Sequence, residues 1–254
     1  MHMLISRVEG NYPHHAIFAS HDTGLKPDSG YEVRRGMRHV LHTLRVDFNP
    51  YVYLRQLVWA QPGIKPRVLE GGCGHGEILA DLKRGIYPIH PFSLDQGPIE
   101  RTVNFRYPDP YLISEPGLGN SIHTTGVTLS EQHAMIIGAI DPSAQPDHLM
   151  IGPIGVQHFD SQAEMILDFY GAAFHRPEEA LSVYSHVLKD SGLVLMRFPT
   201  NTDRPQEEVD RAIRTELRAR SFESLLIGIN QFPDPSDQKL QGTADVLARK
   251  ITSR

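Results

Sequence analysis

Residues 67–76 read Arg-Val-Leu-Glu-Gly-Gly-Cys-Gly-His-Gly, and this stretch constrains the fold more than any other. An apolar run ends in the acid Glu70. Glycines then recur at every second position (Gly72, Gly74, Gly76), and the helical pattern Glu77-Ile78-Leu79-Ala80-Asp81-Leu82 follows. The spacing predicts a strand, a tight glycine turn and a helix. Glycine lacks a Cβ, so such a turn can take positive φ and let a ligand lie against bare backbone. The helix that opens beside it brings N–H groups without intrahelical partners. The dinucleotide fingerprint G-x-G-x-x-G is not met, because the third position after Gly72 and Gly74 is Glu77.

The rest of the chain repeats the alternation. Strand-like segments fall at 67–70, 91–95, 149–152, 165–169, 193–198, 224–230 and 244–251. Helical patterns fall at 31–46, 50–61, 77–84, 130–140, 177–188 and 206–219, the second stopped by Pro62-Gly63. Short apolar strands separated by helices predict a mostly parallel seven-stranded α/β sheet with helices on both faces. No helical pattern separates the last two strands, so these form a C-terminal antiparallel hairpin. Residues 1–30 read as an irregular arm, and residues 1–61 as arm and helices capping the site. The main domain is 62–254. Strands two and three lie about 50 residues apart, longer than an ordinary crossover, so 101–147 reads as an insertion.

Composition narrows the partners. A chain of 254 residues with net charge −5 offers no broad surface for phosphates, so nucleic acid is not the expected substrate. One cysteine excludes an intrachain disulfide framework and fits a reducing compartment, with the cytoplasm as the expected location. No apolar run approaches the roughly 20 residues of a membrane helix. The chain has 14 histidines, but His14, His15 and His21 lack Cys, Asp or Glu at ligand spacing, so no metal is expected. A homo-oligomer is left open.

The motif at 70–76 resembles Glu/Asp-x-Gly-x-Gly-x-Gly, the first motif of class I S-adenosylmethionine (SAM)-dependent methyltransferases. A parallel sheet ending in an antiparallel hairpin is similar to that family's Rossmann-like core. The segment 163–175 looks like the family's fourth motif, and Leu188-Lys189-Asp190-Ser191-Gly192 resembles its following turn, with Ser191 in place of a glycine. The resemblance implies SAM as cofactor and methyl transfer to a small-molecule acceptor. A non-catalytic methyltransferase-like domain that binds a nucleoside or a protein partner is the alternative.

The resemblance also implies site residues. Glu70 would face the ammonium of the methionine part, and Gly72, Cys73 and Gly74 would give backbone approach. Asp95, which stands 19 positions after Gly76, would accept from the ribose hydroxyls, with Gln96 beside it. Pro153 stands where the family often has an acid against adenine, leaving the Ile154 N–H to meet the ring. Asp168, Tyr170 and His175 are the polar groups expected near the transferred methyl, and a neutral imidazole could act as base. The aromatics Tyr31, Tyr51, Tyr53, Trp59, Tyr107 and Tyr111 lie in the variable parts, where they either wall an acceptor pocket or pack as core.

Overall fold

The computed structural model describes residues 3–7, 36–86, 114–169, 171–200, 204–230 and 242–252. In chain order the strands are β1 (Leu4–Arg7), β2 (Arg67–Glu70), β3 (Gly85–Ile86), β4 (Glu115–Pro116), β5 (His123–Thr128), β6 (His148–Ile151), β7 (Ala163–Asp168), β8 (Leu188–Thr200), β9 (Phe222–Asn230) and β10 (Gly242–Lys250). The helices are α1 (Met37–Thr43), α2 (Pro50–Ala60), α3 (Glu77–Arg84), α4 (Glu131–Ala139), α5 (Ala172–His175), α6 (Pro177–Val187) and α7 (Gln206–Ala219).

Eight strands form one sheet in the order β1-β6-β5-β2-β7-β8-β10-β9. The first six run parallel. Strand β10 is antiparallel to β8 and to β9, which gives the expected C-terminal hairpin. Side chains alternate between the faces, as the pleat requires. Val68, Met165, Leu167, Leu193 and Leu195 pack on one face with α1, α2, α3 and α4. Leu69, Ile166, Val194, Met196 and Phe198 pack on the other with α6 and α7. Helix ends follow local chemistry. Asn49 caps α2 by accepting from the Tyr51 N–H at 2.9 Å, with Pro50 at the first helical position. Ser130 caps α4 through the His133 N–H at 3.4 Å.

Three expectations change. Residues 4–7, read as part of an irregular arm, form the eighth strand, at the sheet edge beside β6. The strand expected at 91–95 lies outside the described residues, and the place beside β2 is taken by β5. Residues 123–139 therefore belong to the sheet and its covering helices, not to an insertion. Their strand carries Gly126 and three threonines, a weak apolar signal that the acid at position 95 outweighed.

The segment after α1 is pinned to the sheet by a buried ion pair. Arg197 on β8 donates to Asp245 on β10 at 2.6 Å and 3.0 Å, and to the Thr43 carbonyl at 3.3 Å. Asp245 also accepts from the Arg45 N–H at 2.8 Å. Helix α1 begins on α3, where Asp81 accepts from the Met37 N–H at 2.8 Å. Among the described residues, no helix is long and apolar enough to cross a membrane.

Candidate functional site

The glycine turn leaves β2 at the carboxyl end of the sheet, where ligands of open α/β folds bind. It is held on both sides. The Gly71 N–H donates to the Leu167 carbonyl of β7 at 2.9 Å, and the Cys73 N–H to the Val127 carbonyl of β5 at 2.8 Å. Gly74 and Gly76 have φ of 48° and 79°, the left-handed region that favours glycine. A Cβ on Gly74 would meet nothing within 4 Å, so the turn is open on that side. At Gly72 the opposite holds: a Cβ there would stand 2.1 Å from the Cα of Gly171, in the turn after β7. The two turns touch backbone to backbone. Cys73 is buried, its sulfur against Gly126 of β5, and burial pushes its thiol well up, so it fills space and offers no thiolate.

Glu70 ends β2 with only 3% of its surface exposed. It accepts from the Leu79 N–H in the first turn of α3, and its Oε2 has no hydrogen-bond partner among the described residues. Burial first, then Glu77, Asp168 and Asp81, hold its carboxyl well above the usual carboxylate range. A buried carboxylate oxygen without a donor is costly, and an ammonium group supplies the donor it lacks.

Asp168 ends β7 and is fully buried. It accepts from the Gly171 N–H at 2.9 Å, the Ala173 N–H at 2.7 Å and the Tyr184 hydroxyl of α6. Burial raises its carboxyl to about 6, against the pull of these three donors. The arrangement makes Asp168 the anchor of the turn that carries Gly171 to Gly72. Its Oδ2 accepts two of these bonds and its Oδ1 one, so most of the carboxylate's lone pairs are engaged by the protein. His175 closes α5 in the segment that Asp168 anchors, its ring edge-on to Phe174 at 5.5 Å.

Of the residues expected from sequence, Glu70, Gly72, Cys73, Gly74 and Asp168 come together at the ends of β2 and β7. Ile154 opens a short 3-10 turn after β6, two strands from β2, with its side chain buried in the core cluster that also includes α6. Asp95, Gln96 and Tyr170 lie outside the described residues. Among the aromatics of the variable parts, Tyr51 is buried core and Trp59 is 76% exposed on α2.

On the β5 side stand two residues that the sequence reading passed over. The rings of His75, in the glycine turn, and His133, in the first turn of α4, meet edge to face at 4.6 Å. The Thr128 hydroxyl is 3.4 Å from the His133 Nδ1. Burial lowers the His133 imidazole below its ordinary value, which favours the neutral ring. The strand next to β2 thus ends in Thr128, with Ser130 after it. The signal available in the sequence was a histidine inside the turn motif and another three residues past a capping serine.

No protein-family model matches the chain, and no curated protein matches it. Solved structures of similar fold include a SAM-dependent methyltransferase from Methanosarcina mazei, with TM-score 0.48 and 11% identity, over 82% of this chain and 100% of that one. Another is magnesium protoporphyrin IX methyltransferase from Synechocystis PCC 6803 with bound SAM, with TM-score 0.44 and 12% identity, over 78% of this chain and 76% of that one. A third is a 16S rRNA (adenine(1408)-N(1))-methyltransferase from Catenulisporales acidiphilia, with TM-score 0.47 and 11% identity, over 82% of this chain and 95% of that one. These identities speak to the fold alone.

Proposed function

We propose that the chain is a SAM-dependent methyltransferase that acts on a small organic acceptor. One observation carries the reading: a buried carboxyl, Glu70, with an oxygen that lacks a donor among the described residues, beside a glycine turn that is open at Gly74. That pair fits the amino-acid end of SAM, an ammonium for Glu70 and a chain lying along bare backbone. Bound SAM supplies an electrophilic methyl on a sulfonium. The protein's work is then chiefly alignment of an acceptor in line with that methyl.

Glu70, Gly72, Cys73 and Gly74 hold the amino-acid end in this reading. His75 and His133 border the turn on the β5 side, in the direction of the nucleoside. Asp95 and Gln96 for the ribose, and the Ile154 N–H for the adenine, remain proposals from the motif order. Asp168 positions the Gly171 turn against Gly72. An acceptor that must lose a proton needs a base, and His175 is the imidazole of the anchored segment. The net charge of −5 favours a small organic acceptor over a nucleic acid.

The engagement of Asp168 with three protein donors favours, as second reading, a domain that binds a nucleoside ligand without turnover. Incubation with methyl-labelled SAM and a panel of hydroxy, amino and carbon-acid metabolites separates the two. Label in one acceptor class, lost in Glu70→Gln, is the expected outcome. SAM binding with no transfer to any member of the panel favours the second reading.

A further inference from the structure

Glu70 is buried at the end of β2, and one of its oxygens has no hydrogen-bond partner among the described residues. Glu77 and Asp81 of α3, Asp168 of β7, Cys73 of the glycine turn and Tyr184 of α6 lie within its electrostatic reach. Glu77 has His75 beside it at 3.8 Å. Asp81 accepts from the Met37 N–H, and Asp168 has its three donors. Among the described residues, Glu70 itself has one donor, the Leu79 N–H, and no Lys or Arg paired with it. An isolated charge in such a place is strongly unfavourable, and a carboxyl there takes up a proton instead. Burial and the three acids hold the group well above the ordinary range.

Resting on the donor-site reading, we infer that ligand binding at Glu70 is an exchange of cations: the free protein holds Glu70 as the neutral acid, and the ligand's ammonium takes the place of the proton. The balance is simple. A protonated carboxyl and an ammonium enter, a carboxylate–ammonium pair forms, and one proton leaves to solvent. The pair satisfies the oxygen that lacks a donor and cancels the buried charge. The consequence is a site that reads the amino-acid end of its ligand through protons as well as contacts. A nucleoside without that end binds with no proton exchange.

The experiment is calorimetric titration of the whole chain with S-adenosylhomocysteine, which keeps the ammonium and adenosine and lacks the reactive methyl. It is run in buffers of different ionisation enthalpy, between about pH 5.5 and 7. The expected result is release of close to one proton per ligand, and a Kd that falls about tenfold per pH unit while Glu70 starts protonated. Glu70→Gln, which mimics the neutral acid in shape, should bind more weakly and release none. 5′-Methylthioadenosine, which has no ammonium, should bind the wild-type chain without release. Binding of S-adenosylhomocysteine with buffer-independent enthalpy and a flat pH profile would overturn the inference, as would undiminished proton release in Glu70→Gln. No binding of either nucleoside would remove the donor-site reading itself, and this inference with it.

Discussion

Asp168 shows how one buried side chain sets the shape of the backbone around it. Its folded-state carboxyl stands at about 6 against an ordinary 3.8, so the folded chain holds that proton more tightly than the unfolded one. The stability this contributes is complete below pH 3.8 and is lost as the pH rises through 6, about 3 kcal/mol in all. Tyr184→Phe removes a donor to the ionised form. The variant should lose about 1.5–3 kcal/mol at pH 7 and clearly less at pH 4, read by urea unfolding at both values. Equal losses at the two pH values would contradict the account. The glycines separate in the same way. Gly72→Ala drives a methyl into the Gly171 backbone and should both destabilise the chain by more than about 2 kcal/mol and abolish ligand binding. Gly74→Ala meets only the strain of φ 48°, about 1–2 kcal/mol. Paired thermal melts and titrations of the two variants test this; equal effects would show that the backbone contact is unimportant.

Among the elements, burial decides which charges matter. The Arg197–Asp245 pair is buried and ties the segment after α1 across β8 and β10. Asp245→Ala strands the guanidinium and should cost about 3–5 kcal/mol. The Arg249–Glu223 pair is about half exposed, so Glu223→Ala should cost less than about 1 kcal/mol. Comparing the two urea midpoints checks the contrast. Neither role was visible in the sequence, where Arg197 and Asp245 are charges within strand-like runs 48 residues apart. What could be read locally was read well. Helices α2, α3, α6 and α7 and strand β2 carry their own signals, a capping Asn-Pro, a glycine turn or a clear apolar period. Strand β5 carries little apolar signal and gains its place only by pairing with β2 and β6. Residues 189–192 form a bulge, with Ser191 at φ 64°, between the pairs Ala163↔Leu188 and Met165↔Leu193, so β8 begins earlier than the apolar run suggested.

At the scale of the whole molecule, the parallel sheet with its reversed C-terminal hairpin was legible from one motif and the alternation that follows it. The β5 side was not, because a carboxylate at ribose spacing in sequence pointed to 91–95, whereas the strand that reaches β2 ends at Thr128 beside His133. Sequence spacing cannot register which of two segments pairs with a central strand when a long connection lies between. The double contact of the glycine turn, with β7 through Gly71 and with β5 through Cys73, joins both halves of the sheet at one place. A ligand seated there should therefore stabilise the chain as a unit. The most direct measurement is equilibrium titration of the intact protein with SAM and S-adenosylhomocysteine. The account predicts saturable one-to-one binding of both, weakened at least tenfold, about 1.4 kcal/mol, by Glu70→Gln. Absence of binding of either at high micromolar concentration, or binding that Glu70→Gln leaves unchanged, would contradict it.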